Sequence, residues 1–471
     1  MKPRESFARL CERWPELGAF AGANVRTAGL SSLGPDAVRE RIESVRELDA
    51  AAAGFFELLF ASNRWRKNPD VLSEWSALLL RQALIAEQVP GESERLADWL
   101  ASMPRALAHA LEARESPDAR ALELARDAAE GFGAQLDALA DLVPPVALQG
   151  ALLALSGHRQ ELAALIPGEP LGEVEELDAL LAARGIAQAP AELAALFEAE
   201  VARLTAELER SPAPAPEPGH FSGDVLREAL RTELEVAAEA WKLAGLPGCT
   251  ARFEVLAVPP GLEASIPHAA VFTPRPLQPQ EPALVVLNAD SPLAHDSGRR
   301  MLLAVHEGAP GHGLQADRAN AASAPWRAVD LCPIPGMGAG VYAGELMEGW
   351  AHFVEARYAE IFPGDAWLQH AVVREALWRA ARARADLGFA SGELDADGAA
   401  RYLQAKAGLS ARDALAEVDD FRLNPTYGLS YTLGAVQLRG LRAAARDEAA
   451  LYERILAQGL VPLSRLNASG A

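Results

Sequence analysis

Residues Leu302 to Gln315, LLAVHEGAPGHGLQ, decide how this chain is read. An apolar approach delivers a His-Glu pair, His306 and Glu307, and a second histidine, His312, follows a Pro-Gly step. Histidines four apart on an α-helix share a face, so a His-Glu-x-x-His stretch aims two imidazoles at one zinc ion and leaves the glutamate beside it as a base. His312 instead follows His306 by six positions. On a regular helix six residues rotate roughly 240° and rise roughly 9 Å, which would aim the rings apart. A shared ion therefore requires a broken helix. Pro310 has no N–H for the carbonyl of His306 and crowds it, and Gly311 tolerates the backbone that a break needs. The spacing predicts that Ala309-Pro310-Gly311 absorbs the two extra residues and returns His312 to the side of His306. A helix that ends at Ala309, with His312 as a loop residue, fits the same letters.

Working outward, the 471 residues are half hydrophobic and 23% charged, a composition expected of a soluble globular protein with a large core. Forty-four Lys and Arg against 65 Asp and Glu leave a formal charge of −21. That balance argues against nucleic acid or an anionic membrane as partner, because phosphate binding needs a clustered cationic surface. Cys11, Cys249 and Cys332 lie far apart with no Cys-x-x-Cys pair, so neither a disulfide framework nor a thiolate zinc site is indicated. The start, MKPRESFARLCERWPEL, is interrupted by Glu5, Arg9, Glu12 and Arg13 and lacks the apolar run of a secretory signal. No window reaches the roughly 18 apolar residues of a membrane span. A cytoplasmic protein is expected.

Residues 1–210 are dominated by Ala, Leu, Glu and Arg, with apolar residues recurring at three and four. They predict an N-terminal region of amphipathic helices broken at Pro90-Gly91, Pro144-Pro145 and Pro167-Gly168. Residues 211–219, SPAPAPEPG, read as a linker or surface loop. Residues 220–471 form the metal-site region, expected to pack with the first as one cleft-forming unit. Within it, strand-length apolar runs at 253–258, 270–273 and 283–288 predict a small sheet just before the His-Glu helix. A free sheet edge there could hold an extended peptide by main-chain hydrogen bonds, and a purely structural ribbon fits equally.

Farther on, helical spacing places Glu345, Glu348, His352 and Glu355 along one stripe. Carboxylates among large apolar residues predict a partly buried stripe that needs a positive partner, and a metal would serve. Taken alone, Glu345 and Glu355 read as members of an exposed acidic face. The Arg-rich segment from Arg374 to Arg384 reads as a salt-bridged face. Arg422, Tyr427, Tyr431 and Arg439 then fall in one short region, with the two tyrosines four apart. A tyrosine hydroxyl beside zinc can donate to a developing oxyanion, and an arginine can fork onto a substrate carboxylate. Ordinary packing is the commoner reason for lone Tyr and Arg residues.

Three blocks in order resemble one family. His306 to Gln315, HEGAPGHGLQ, is similar to the HExxPGHxxQ signature of the bacterial family known as domain of unknown function 885. Glu348 to Glu355, EGWAHFVE, resembles its EGWAxYxE block. Tyr431 in SYTLG, Leu438-Arg439, and Ile455 to Leu463, ILAQGLVPL, resemble its C-terminal block. The family in turn resembles zinc metallopeptidases of the thermostable carboxypeptidase, thimet oligopeptidase and angiotensin-converting enzyme type. This resemblance implies a mostly α, large helical fold with a deep cleft and the small sheet beside the zinc helix. It implies one zinc ion held by His306, His312 and Glu348, with Glu307 as base and Tyr431 as oxyanion donor. Glu348 is preferred to Glu345 because it begins the EGWA block. His352, Glu345, Tyr427, Arg422 and Arg439 are candidates to support the metal or bind substrate. The chain departs from the family where Gly313 replaces a second consecutive His, where Phe353 replaces Tyr, and where Pro425-Thr426-Tyr427-Gly428 replaces the usual Pro-Gly-Gln.

The expected activity is hydrolysis of a peptide or small amide substrate by a zinc-dependent peptidase. A zinc hydrolase of a non-peptide amide and a helical binding protein without catalysis are the alternatives. Glu307 beside both histidines argues against the last, since a non-catalytic site has no need of a base there.

Overall fold

A computed structural model describes residues 3–23, 30–62, 64–86, 89, 91–112, 114, 116–211, 221–259, 266, 268–322, 324–329, 332–334 and 342–468. Most of the predicted linker, residues 212–219, and the predicted break at Pro90 lie outside them. The fold is mostly helical with one small sheet, as the sequence predicts. No helix among the described residues is long and apolar enough to cross a membrane.

The chain forms two compact units. The first comprises residues 1–171, 259–265 and 329–339, and the second residues 172–258, 266–328 and 340–471. The division thus falls at 171/172, earlier than the sequence boundary at 210. The reason is the helix over 190–210, which buries Val201 and Leu204 against Val373, Ala376 and Leu377 of the second unit.

The first unit contains helices α1 (Pro3–Arg13), α2 (Pro15–Ala21), α3 (Pro35–Arg46), α4 (Ala50–Ala61), α5 (Arg64–Lys67), α6 (Ser73–Ala86), α7 (Glu92–Leu107), α8 (Ala119–Ala138) and α9 (Pro145–Ala164). Asp49 and Asp118 cap α4 and α8 by accepting N–H groups of their first turns. Helices α6 to α9 close over a core that includes Trp75, Trp99, Phe132 and Leu155.

The second unit holds α10 (Leu177–Ala183), α11 (Pro190–Arg210), α12 (Gly223–Leu243), strands β1 (Phe253–Ala257), β2 (Ala269–Phe272) and β3 (Ala283–Leu287), then α13 (Ser297–Glu307), α14 (His312–Ala321), α15 (Gly344–Ile361), α16 (Ala366–Ala390), α17 (Ala396–Ala407), α18 (Ala411–Leu423), α19 (Leu429–Ala444), α20 (Glu448–Leu456) and α21 (Ser464–Ala468). The strand order is β1-β3-β2, with β3 parallel to β1 and antiparallel to β2. The unbroken apolar run Ala283-Leu284-Val285-Val286-Leu287 suits β3 to its fully buried central place. Leu226, Leu230 and Leu234 of α12 pack with Val255, Val285 and Ala304, seating the sheet against α13. Helices α15 and α19 cross almost backbone to backbone. A Cβ at Gly349 would stand 2.5 Å from the Cα of Gly434, and one at Gly434 would stand 2.1 Å from the carbonyl oxygen of Glu345.

Candidate metal centre

The two histidines sit on consecutive helices, His306 in the last turn of α13 and His312 at the start of α14. Residues 308–311 make the break, and three backbone hydrogen bonds brace it. Gly308 N–H donates to Ala304 (3.0 Å), Gly311 N–H to Val305 (2.9 Å) and Gly313 N–H to Gly308 (2.7 Å). The Ala309–Pro310 peptide is cis. A Cβ on Gly311 would lie 1.9 Å from the carbonyl oxygen of His306, so glycine is required for the chain to turn this tightly. The result is the return that the spacing demands: the imidazoles meet edge to face with ring centroids 4.8 Å apart. His312 is therefore brought back to His306 and is not a stray loop residue.

Helix α15 brings Glu348 to the two histidines. Among the described residues, His306, His312 and Glu348 offer ligand atoms that all lie within 4.8 Å of one another. Glu348 Oε2 is 3.7 Å from His306 Nε2 and 3.5 Å from His312 Nε2. Ligand bonds of 2.0–2.1 Å around tetrahedral zinc put neighbouring donors about 3.4 Å apart, close to the two separations that Glu348 makes with the histidines. The electrostatics agree. Burial works to lower the His306 imidazole, yet hydrogen bonding to Glu348 and Glu355 raises it to about 10. His312 is raised in the same way by Glu348. The Glu348 carboxyl is held well below its ordinary range, against the effect of burial, by the two imidazoles. A pocket that concentrates positive charge on these atoms suits a divalent cation, which would replace the imidazole protons.

Each histidine is oriented from behind. His306 Nδ1–H donates to Glu355 Oε1 at 2.7 Å, which leaves Nε2 facing Glu348. Arg379 of α16 donates to Glu355 Oε2 at 2.6 Å, and His352 Nδ1 lies 3.0 Å from the same oxygen. Burial would raise the Glu355 carboxyl, but Arg379 and the two histidines hold it far below the usual carboxylate range. His312 Nδ1–H donates to Gln315 Oε1 at 3.3 Å, and Gln315 in turn donates to the carbonyl of Leu346 at 2.9 Å. Such partners fix ring orientation and raise ligand basicity.

Two expectations drawn from residues taken singly are corrected. Glu345 and Glu355 are each only 1% exposed, so neither belongs to an acidic surface. Glu345 is paired with the buried guanidinium of Arg184, while Glu348 takes the histidines. His352 reaches the centre indirectly, through the carboxylate behind His306.

Glu307 is half-buried. Burial pushes its carboxyl above the ordinary range, and the neighbouring His306 and His312 oppose that rise. Tyr427 donates to Glu348 Oε1 at 2.7 Å, and its hydroxyl lies 3.3 Å from that of Tyr431. Burial beside Glu348 raises both phenols, so both keep their protons and remain donors. Arg379 and Arg382 each lie 5.5 Å over the Tyr431 ring. The two arginines expected to bind substrate are engaged elsewhere: Arg439 pairs with Glu200 of α11 at 2.9 Å, and Arg422 lies over the Phe389 ring.

Sequence reasoning missed Arg379, Arg382 and Asp386 as a set. A stripe test on α16 would have found them, since Glu375, Arg379, Arg382 and Asp386 recur at helical spacing. Gln315 closes the HExxPGHxxQ block, whereas Arg184 carried no such signal.

No curated protein matches the sequence. Solved structures share the fold. The "putative lipoprotein" from Colwellia psychrerythraea aligns with a TM-score of 0.77 at 15% identity, covering 99% of this chain and 98% of that one. A "putative lipoprotein of unknown function" from Shewanella oneidensis aligns with a TM-score of 0.68, also at 15% identity and with the same coverage of both chains. The family model for "Bacterial protein of unknown function (DUF885)" matches residues 226–469, a span that includes both histidines, Glu348 and the tyrosine pair. With more than half its length matched, the chain belongs to the DUF885 family.

Proposed function

We propose that this protein is a zinc-dependent hydrolase of peptide bonds. The observation that carries the proposal is the convergence of His306, His312 and Glu348 with Glu307 directly beside them. Two imidazoles and one carboxylate are a donor set that leaves a zinc position open. Zinc, when bound, would polarise a carbonyl and lower the pKa of a water toward about 7. Glu307 would take the proton of the attacking water on its carboxylate and deliver it to the leaving nitrogen. Tyr427 is engaged with Glu348, which leaves Tyr431 as the hydroxyl to donate to the developing oxyanion. Strand β2 lies beside α13 and pairs with β3 along one edge, so its other edge suits an extended peptide.

Elemental mass spectrometry on protein purified without an affinity metal, followed by a mixed-peptide digest, tests this. About one zinc per chain in the wild type, lost in His312→Ala, is expected from a three-residue donor set. Glu307→Gln should keep the zinc and lose about 10²-fold or more in turnover. A wild type that binds no supplied zinc, or a Glu307→Gln variant with undiminished turnover, overturns the proposal. Cleavage of other amides with no cleavage of peptides would overturn the choice of bond.

A further inference from the structure

Thr426 is a β-branched residue at φ +70°, in the left-handed region that such side chains avoid. Strain of this kind persists only where the surroundings over-determine it. Here they do. Asp386, fully buried on α16, accepts the N–H groups of Thr426 (2.9 Å) and Gly428 (2.8 Å), the residues on either side of Tyr427. Arg184, also buried, donates from one nitrogen to both the carbonyl (2.9 Å) and the hydroxyl (2.6 Å) of Thr426. Its second terminal nitrogen bonds Glu345 and the hydroxyl of Ser430 (3.0 Å). Glu345 stands one turn before Glu348 on α15. One arginine thus grips both the helix that bears the third donor and the turn that bears Tyr427. The outcome is a directed bond: Tyr427 takes Oε1 of Glu348, while Oε2 lies 3.7 Å from His306 Nε2 and 3.5 Å from His312 Nε2.

We propose that Asp386 and Arg184 are positioning residues that lock the turn at 424–428, so that the Tyr427 hydroxyl keeps Glu348 a one-oxygen donor to a divalent cation. The inference rests on the metal centre proposed above. A carboxylate free to rotate can offer both oxygens and so fill the position that a reacting water needs. Neither positioning residue touches the donor atoms. Their effect passes through the backbone of the turn and the hydroxyl of Tyr427.

The test replaces zinc with cobalt(II), whose visible absorption weakens as coordination number rises. Full-length wild type, Tyr427→Phe, Asp386→Asn and Thr426→Gly are compared in mildly alkaline buffer. Thr426→Gly removes the hydroxyl that Arg184 grips while suiting the positive φ, so it decides the matter if Asp386→Asn does not fold. The expected result is that all three variants lose visible absorption in the same direction and bind cobalt about 10-fold more weakly. A purely structural role would lower the melting temperature without moving the spectrum. The proposal is overturned if Tyr427→Phe changes the spectrum while the folded Asp386→Asn and Thr426→Gly proteins keep the wild-type spectrum and Kd. It is equally overturned if Tyr427→Phe itself changes nothing. A wild type that binds no cobalt is a different failure, because it removes the metal centre along with the proposal.

Discussion

Trp350 donates its indole N–H to the carbonyl of Pro310 across 2.8 Å, tying the helix that carries Glu348 to the break between His306 and His312. The ring is fully buried and packs against Phe353 and Tyr452. Trp350→Phe keeps an apolar ring but strands a buried carbonyl, a change that costs about 1–3 kcal/mol. A lower Tm together with weaker zinc binding is expected from thermal melts and metal titration. Unchanged metal affinity would mean that this bond steadies the fold without registering the ligands.

Gly311→Ala attacks the break itself. Its new methyl would meet the carbonyl oxygen of His306 at 1.9 Å, backbone against side chain with no flexible atom to give way. The chain must open there and carry His312 away from His306. Zinc content should fall well below that of the wild type while helix content by circular dichroism is kept. Full zinc occupancy in the variant would show that the two histidines need not approach as they do here.

Glu355→Gln tests the carboxylate behind His306. Glutamine can still accept from His306 Nδ1–H, but it no longer opposes the charge of Arg379. Loss of such a partner typically weakens metal affinity about 10–100-fold. Leaving the largely covered Arg379 without this carboxylate should also destabilise the second unit, by about 3 kcal/mol at most. Isothermal titration and chemical denaturation read the two effects separately, and a variant with wild-type zinc affinity would contradict the assignment.

Asp386 predicts a pH dependence. Burial is the largest influence on its carboxyl and raises it from 3.8 to about 7, with the N–H groups of Thr426 and Gly428 and the nearby Arg382 opposing the rise. Because the folded value lies above the unfolded one, the folded chain holds this proton more tightly. The associated stability is complete below pH 3.8 and is lost as pH rises through about 7. One proton corresponds to at most about 1.4 kcal/mol per pH unit. Denaturation at several pH values between these limits should show a shallower decline for Asp386→Asn than for the wild type. Parallel slopes would mean that Asp386 does not change protonation in this range.

The small sheet and the helix break were legible because each depends on neighbours in the chain. Ala283 to Leu287 is apolar throughout and strand-length, and it forms the buried central strand. The boundary between units was not legible at 171/172, because α11 differs little in composition from the helices before it and is assigned by what it packs against, chiefly α16.

By itself the sequence determined that His306 and His312 share a site only through a broken helix, because a six-residue spacing, a proline and a glycine act on the backbone locally. It also determined that Glu345, Glu348, His352 and Glu355 lie along one side of a helix, since periodicity is a property of the chain alone. Only the tertiary structure decided which partner each of them takes. Glu345 meets Arg184, Glu348 meets the two histidines, and Glu355 meets Arg379 and the rear of His306. Periodicity orients a stripe along its own helix. The rotation and depth of the helices that cross it come from packing between distant residues, such as the backbone contact of Gly349 with Gly434.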